Sequence, residues 1–324
     1  MPPAIIALGE LLVEVMRPQV DQPLSRPGEF VGPFPSGAPA IFIDAAARLG
    51  ASTGFIGVVG GSPGGAVDPF GDCVLDRLRA DRVDISHVRT APGYTTGTAF
   101  VAYRSDGSRS FCFHLPHSAA ALLGPDDVDP AYLSAVQFLH VTGSALSISD
   151  SARQACYKAV DLCKTAGGRV SFDPNLRPEL LGADRVREIC RPILDRCDLL
   201  LPSGAEAAML AGQSETEAPP ERAYNQACLA LLERGIPIVA LKRGAQGSTV
   251  YTATQVLDAP PISVTEVDPI GAGDCYGAAF VVGLLQGMDL AAAARFANVV
   301  GALAVTVQGP MEGAPWRKDA QHYL

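Results

Sequence analysis

The sequence has few charged residues and no cluster of Lys and Arg. Charged residues make up 18% of the 324 residues, and 25 Lys and Arg stand against 34 Asp and Glu. The formal net charge is −9 at pH 7, which argues against nucleic acid as a partner. Hydrophobic residues reach 48%, a proportion typical of a globular chain rather than a disordered one.

Paired cysteines and long apolar runs are also missing. The eight cysteines are scattered without a Cys-x-x-Cys pair, which favours reduced thiols over a disulfide framework or a zinc site. Apolar runs fall short of the ~20 residues that cross a membrane, so no membrane partner is expected. The start, MPPAIIALGELLVEV, lacks a basic segment and a cleavage site, so a first strand and a cytoplasmic location are predicted.

Common nucleotide-binding signatures are absent as well. Neither GxxxxGK[ST] nor a clean GxGxxG occurs, and the glycines at 60–65 are better explained as a turn. No internal repeat or linker is evident. Residues 1–324 are therefore interpreted as a single α/β domain, a common size for that class.

The most informative stretch that is present spans 262–287 and has the pattern strand, glycine loop, helix. Residues 262–267 alternate apolar and polar, which predicts a strand that the following Asp-Pro ends. Gly271-Ala272-Gly273 comes next, and Asp274 occupies the predicted N-cap of a helix. The helix is apolar, and Gly287 is its predicted stop.

A helix that begins after glycines is a candidate anion site. Its first N–H groups lack partners within the helix and lie at the positive end of its dipole. Asp is also a favoured capping residue, so a structural role explains Gly-Ala-Gly-Asp about equally well. In the functional alternative the loop amides hold a phosphate while Asp274 removes a proton from an incoming hydroxyl.

The segment Asp268-x-x-Gly271-Ala272-Gly273-Asp274 resembles the C-terminal signature of the ribokinase-like (PfkB-type) carbohydrate kinases. Pro269-Ile270 stands where many members have two threonines. The resemblance implies a mostly parallel, Rossmann-like central sheet flanked by helices, with a small β-sheet lid. It implies that the loop binds the phosphates of ATP and that Asp274 is the catalytic base. It also makes Asp268 with nearby carbonyls a candidate K⁺ site.

Sugar is expected to bind to residues early in the chain. Glu10 and Glu14 follow an apolar strand, where ligands of open α/β sheets bind, although each taken singly is an ordinary solvated acid. The resemblance selects Glu14 as a contact for sugar hydroxyls. Ser36-Gly37-Ala38 resembles the family segment that opens a helix, and Ile41 replaces an asparagine that contacts sugar in several members.

Residues 94–118 carry the clearest hairpin pattern, two alternating strands around Ser-Asp-Gly-Ser. The resemblance implies a lid built from about 11–35 and 94–118. Exposed lid edges would pair in a homodimer. Tyr103, Phe113 and His114 are then predicted to face the sugar.

Further motifs resemble other parts of the family site. Asp173-x-Asn175-x-Arg177 follows a predicted strand, and the resemblance implies that these residues line the site between sugar and phosphates. Asp173 and Asn175 are then expected to bind the sugar substrate, and Arg177 would neutralise charge on the transferred phosphoryl group. Glu206 would orient water around Mg²⁺, although an acid in the first turn of a helix is favourable by itself. The residues expected beside ATP are Lys242, Gly244, Gly247 and Asn298.

These features together predict an ATP-dependent sugar kinase that uses Mg²⁺. The expected acceptor is a ketohexose of the fructose or tagatose type, with 2-keto-3-deoxygluconate as the alternative, and this choice rests on similarity. A dinucleotide-binding oxidoreductase is disfavoured because the glycine motif lies late in the chain. A kinase fold that senses a ligand without catalysis is disfavoured by Asp274, Arg177 and Glu206.

Overall fold

The computed structural model describes residues 2–175, 182–212 and 220–324, so Arg177 lies outside the described residues. The strands are β1 (Ile5–Gly9), β2 (Leu12–Met16), β3 (Val31–Ser36), β4 (Thr53–Gly61), β5 (Asp84–Pro92), β6 (Gly97–Tyr103), β7 (Arg109–His114), β8 (Phe138–Thr142), β9 (Arg169–Asp173), β10 (Leu199–Leu200), β11 (Ile238–Lys242), β12 (Ser248–Tyr251) and β13 (Val256–Ala259). The helices are α1 (Ala38–Arg48), α2 (Pro69–Ala80), α3 (Pro130–Leu133), α4 (Gly143–Ile148), α5 (Asp150–Thr165), α6 (Ala183–Leu194), α7 (Gly204–Ala211), α8 (Pro220–Glu233), α9 (Ala272–Leu285), α10 (Leu290–Ala304) and α11 (Arg317–Gln321).

A large sheet forms the centre of the molecule. Its strand order is β13-β12-β11-β10-β9-β8-β1-β4-β5, and the strands from β11 to β5 run parallel. Helices cover both faces of the sheet. Successive residues of β1 therefore pack into two different hydrophobic cores, one on each face. Ile5 and Ala7 pack on the side of α1 and α9, whereas Ile6 and Leu8 pack on the side of α5. The predicted α/β fold with a mostly parallel sheet is confirmed.

A smaller sheet, β3-β2-β6-β7, lies beside the large one. Its strands come from the two segments in which the sequence predicts lid strands. Met16 and Val101 of this sheet form a buried cluster with Ile270, the residue that precedes Gly271. The small sheet therefore packs directly against the glycine loop.

The strand order reverses between β1 and β8. From β1 the chain proceeds to β4 on one side, and from β8 it proceeds to β9 on the other. Loops diverge at such a point and leave a crevice beyond the carboxyl ends of the strands. Glu10 follows β1 and Ser144 follows β8, so both lie at this crevice.

The structure corrects several predicted elements. Residues 262–267 form no strand: two prolines follow β13, and proline cannot donate to a ladder. The Val267 N–H donates to the Val305 carbonyl instead. Strand β5 was not predicted, because it is an edge strand with mostly half-buried residues and no clear apolar alternation. Among the described helices, none combines the length and apolarity that a membrane span requires.

Candidate active site

A cavity of about 380 Å³ opens at the carboxyl ends of the parallel strands, between the two sheets and the start of α9. Its wall includes the residues that follow or end β1, β8, β9 and β11. Of the residues predicted from the sequence, those that line it are Glu14, Ser36, Gly37, Ala38, Phe113, Asp173, Asn175, Glu206, Lys242, Gly244, Gly271, Gly273 and Asp274.

The glycine loop presents the N-terminus of α9 to this cavity. The N-cap is Gly271, at φ +82°, and the helix begins at Ala272. A Cβ on Gly271 would overlap the carbonyl oxygen of Pro310, so both the conformation and the space require glycine. Because Gly271 and Gly273 line the cavity, the first turn of α9, whose N–H groups have no partner within the helix, lies beside it.

Asp274 is the third residue of α9 and does not cap the helix as predicted. Its side chain is buried, and Oδ1 accepts a hydrogen bond of 3.1 Å from Asn175 Nδ2. Asn175 has φ +35°, a conformation that asparagine tolerates better than most residues, and its N–H donates to Asp173 Oδ1. The end of β9 thus orients a carboxylate at the start of the helix.

A buried ion pair joins β9 to β11 at the same end of the cavity. Lys242 Nζ lies 2.5 Å from Asp173 Oδ2. Burial raises the pKa of Asp173 to about 6, although the Lys242 ammonium opposes that shift. Burial alone would lower the pKa of Lys242, but Asp173 and Glu206 outweigh it and raise that pKa. The Asp173–Lys242 contact lies next to Gly273, where an added Cβ would be 3.4 Å from Lys242 Nζ.

Glu206 lies in the first turn of α7 and lines the cavity. Its Oε2 accepts a hydrogen bond of 2.7 Å from the Ser203 N–H, so this first-turn acid, considered from the sequence as a favourable helix-N-terminal charge, also caps the helix. Within the described ranges, no three His, Cys, Asp or Glu side chains are grouped to hold a metal. Glu206, a carboxylate that lines the cavity, fits Mg²⁺, because this ion keeps several waters and needs few carboxylates.

Two buried carboxylates, Glu10 and Glu14, also line the cavity. Ser36 Oγ donates to Glu14 Oε1 at 2.7 Å, and Ser144 Oγ donates to Glu10 Oε1 at 2.6 Å. Glu10 and Glu14 are 2% and 6% exposed, so neither is the solvated acid that a single-residue interpretation favours. Ser144 was not predicted as a site residue, because its partner Glu10 is 134 residues away and no local pattern connects them.

The small sheet contributes one face of β7 to the cavity. Arg109, Phe111 and Phe113 line it, and the two phenylalanine rings stack with centroids 5.2 Å apart. His114 was predicted beside Phe113, but adjacent strand residues point to opposite faces. Its ring is exposed and packs edge-on against Phe100, so that prediction is wrong. Period-two alternation from Phe113 would have identified Phe111.

The remaining predicted residues lie around the cavity wall rather than in it. Tyr103 donates its hydroxyl to Asp268 Oδ1. Asp268 also accepts hydrogen bonds from the Ile270 and Gly309 N–H groups, so a K⁺ ion there would depend mainly on neighbouring carbonyl oxygens. The role of Asp268 in binding K⁺ stays a prediction.

Asn298 and Gly247 both adjoin the segment that follows β13. Asn298 Nδ2 donates to the carbonyls of Ala259 and Pro260 at 2.9 and 3.0 Å. Gly247, at φ +82°, packs against the same stretch of backbone. Their predicted contacts with ATP stay predictions, because neither lies among the residues that line the cavity.

Comparison with known proteins matches residues 3–317 to the model of the pfkB family of carbohydrate kinases. A fructokinase of Klebsiella pneumoniae is 34% identical over 333 residues, covering 99% of both chains. A 2-dehydro-3-deoxygluconokinase of Thermoproteus tenax is 33% identical, covering 99% of this chain and 94% of its own. A crystal structure of an E. coli protein provisionally named ribokinase II, with ATP and Mg²⁺, has a TM-score of 0.87 and 39% identity, covering 99% of this chain and 98% of that one.

Proposed function

The chain belongs to the PfkB family of carbohydrate kinases, and from that premise we propose that it phosphorylates a neutral ketohexose of the fructose or tagatose type. It is an ATP-dependent sugar kinase. The observation that supports phosphoryl transfer at this site is the position of Asp274, a buried carboxylate that lines the cavity in the first turn of α9. A base at this position lies beside the anion-binding N-terminus of a helix, so the base and the transferred phosphoryl group can be close together as phosphoryl transfer requires.

The carboxylates of Glu10 and Glu14 favour a neutral sugar. Both can accept hydrogen bonds from sugar hydroxyls, and in their ionised form both would repel a substrate carboxylate. One observation supports 2-keto-3-deoxygluconate as the alternative, since Arg109 of β7 lines the cavity and could pair with an acid. The full-length similarity to enzymes named for each substrate keeps both candidates in the test.

The proposed reaction is a direct transfer. Asp274 takes the proton from a sugar hydroxyl, the oxygen bonds to the γ-phosphorus of ATP, and the bond to the departing ADP breaks. The first N–H groups of α9 and the Lys242 ammonium stabilise the charge on the phosphoryl oxygens. Mg²⁺, held by Glu206 through water, would supply further positive charge at the phosphates. Arg177 keeps its predicted role there, outside the described residues.

Replacing Asp274 with Asn tests the base. We expect kcat to fall about 10²–10⁴-fold while the melting temperature stays close to that of the native protein, because the amide keeps the size of the side chain but accepts no proton. The matched control is Asp289→Asn, which alters the exposed N-cap of α10 and keeps a good capping group. Near-normal turnover by a folded Asp274→Asn variant would show that another group is the base.

A coupled assay of ADP formation over a panel of sugars tests the substrate. We expect turnover with fructose or tagatose and much weaker turnover with 2-keto-3-deoxygluconate. Glu14→Gln should weaken ketohexose binding, because it removes a charged acceptor of hydroxyl hydrogen bonds. A preference for the acid would instead select the alternative substrate and assign the charge of Arg109 to its carboxylate.

The predicted homodimer and cytoplasmic location remain proposals. Within the part of the chain that the structure describes, β3 and β7 are the outer strands of the small sheet and each has an unpaired edge, which proteins commonly cover by pairing. Light scattering coupled to size-exclusion chromatography should then give twice the chain mass of 33.7 kDa. A monomer at micromolar concentration would contradict pairing through this sheet.

A further inference from the structure

We propose that Tyr103 is a positioning residue that fixes the glycine loop by holding Asp268. Tyr103 is the last residue of β6, in the small sheet, and its side chain is absent from the cavity wall. Its hydroxyl donates to Asp268 Oδ1 at 2.9 Å and lies 3.4 Å from Met16 Sδ. Tyr103 therefore lies behind the cavity wall, and the proposal assigns it this positioning role instead of the sugar contact predicted from the sequence.

Asp268 distributes that contact into the loop. Its carboxylate is 1% exposed and accepts hydrogen bonds from the Ile270 N–H at 3.1 Å and the Gly309 N–H at 2.9 Å. Ile270 leads into Gly271, and the carbonyl of Pro310, next to Gly309, packs against Gly271 from behind. The Asp268 carboxylate therefore joins Tyr103 of the small sheet, Ile270 before the glycine loop, and Gly309 in the segment that packs behind the loop.

The Tyr103 hydroxyl donates to Asp268, and this contact lies where the small sheet packs against the glycine loop. Phe111 and Phe113 of the same sheet line the sugar end of the cavity. Tyr103 is thus a polar link between the sheet on the sugar side and the loop proposed to hold phosphate. Rates of group transfer depend on placing such donors to within a fraction of an ångström.

A second tyrosine supplies a matched control. Tyr132 Oη donates to Asp84 Oδ2 at 3.1 Å, and burial followed by Asp84 raises its pKa as well. It is half-buried like Tyr103, but it joins α3 to β5 and does not line the cavity. Tyr103→Phe and Tyr132→Phe therefore each remove a hydroxyl that binds a carboxylate, and only the first contact reaches the glycine loop.

The experiment compares the steady-state kinetics of both variants, using the sugar that the native enzyme phosphorylates best. We expect Tyr103→Phe to lower kcat between about tenfold and 10²-fold and to raise KM for ATP, with KM for the sugar within about twofold of native. Tyr132→Phe should leave all three near native. Because the assay uses whichever sugar is accepted, a wrong ketohexose assignment would not affect the result.

Combining Tyr103→Phe with Asp268→Asn tests the route through the carboxylate. If Tyr103 acts through Asp268, the double variant should be no slower than Asp268→Asn alone. Additive losses would overturn the proposal, as would an effect on the sugar KM alone or kinetics indistinguishable from those of Tyr132→Phe. Should Asp268→Asn fail to fold, the comparison of the two single tyrosine variants still decides between support and rejection.

Discussion

Two glycines flank α9, and they differ in what surrounds them. Gly271, the N-cap, has φ +82°, and Gly287, just past the C-cap, has φ +80°. A Cβ at Gly287 would meet nothing within 4 Å, whereas one at Gly271 would overlap the Pro310 carbonyl behind the loop. A side chain at either position would therefore strain the backbone, but only a side chain at Gly271 would also displace the loop.

Gly271→Ala should consequently abolish most activity, while Gly287→Ala should spare it. We expect both variants to lose about 1–2 kcal/mol of unfolding free energy from the left-handed backbone, and Gly271→Ala to lose more because the loop must move. Chemical denaturation and kcat measured on the same preparations check this. Equal activity in the two variants would mean that the loop does not need its observed position.

The alternation of β7 determines which of its side chains meet the cavity. Arg109, Phe111 and Phe113 line it, and the residues between them point to the other face. Among the described residues, β7 is an outer strand of the small sheet, with no strand paired to its other side. A one-residue change of register would exchange the two faces, so the pairing of Thr98 with His114 sets which residues meet the ligand.

Phe113→Ala and His114→Ala separate the two faces of β7. We expect Phe113→Ala to raise KM for the sugar on the order of tenfold, about 1.4 kcal/mol, because it removes apolar contact at the cavity wall. His114→Ala should leave KM near native, since its ring is exposed on the opposite face. Steady-state kinetics with varied sugar at saturating ATP provides the measurement. A larger effect at His114 would restore the sequence prediction.

At the scale of the whole molecule, stability depends on a histidine enclosed in the sheet. His140 of β8 is fully buried, stacks on Phe42 of α1 with ring centroids 3.5 Å apart, and hydrogen-bonds to Ser171 of β9. Burial, followed by the charge of Lys242, lowers its pKa well below the usual value. Below about pH 6.5 the unfolded chain therefore binds a proton at this position that the native state does not.

Unfolding free energy should fall on acidification because of this residue. The contribution of neutral His140 is complete above about pH 6.5 and is lost at about 1.4 kcal/mol per pH unit as the pH falls below it. His140→Gln, which cannot titrate, should reduce the slope by that amount relative to native. Urea denaturation at pH 7.5, 6.5 and 5.5 checks the difference. Identical slopes for the two proteins would contradict a neutral buried imidazole.

Local patterns predicted a large part of this fold. Strand β1, helix α1, the β6–β7 hairpin and the glycine loop before α9 all follow from apolar periodicity and from turn residues, which act over a few neighbouring positions. The same patterns failed for 262–267 and for β5. Residues 262–267 follow two prolines, which cannot donate to a ladder, whereas β5 forms a strand because it pairs with β4, which lies beyond the range of local patterns.

The sequence by itself determined that Asp274 follows Gly271-Ala272-Gly273 at the start of an apolar helix, and that Glu10 and Glu14 follow the first strand. Only the tertiary structure decided that Glu10 meets Ser144, that Asn175 orients Asp274, and that Tyr103 holds Asp268 across 165 residues. The physical reason is range. Backbone conformation responds to adjacent side chains, whereas a site forms where the strand order of the sheet brings separate loops to one edge.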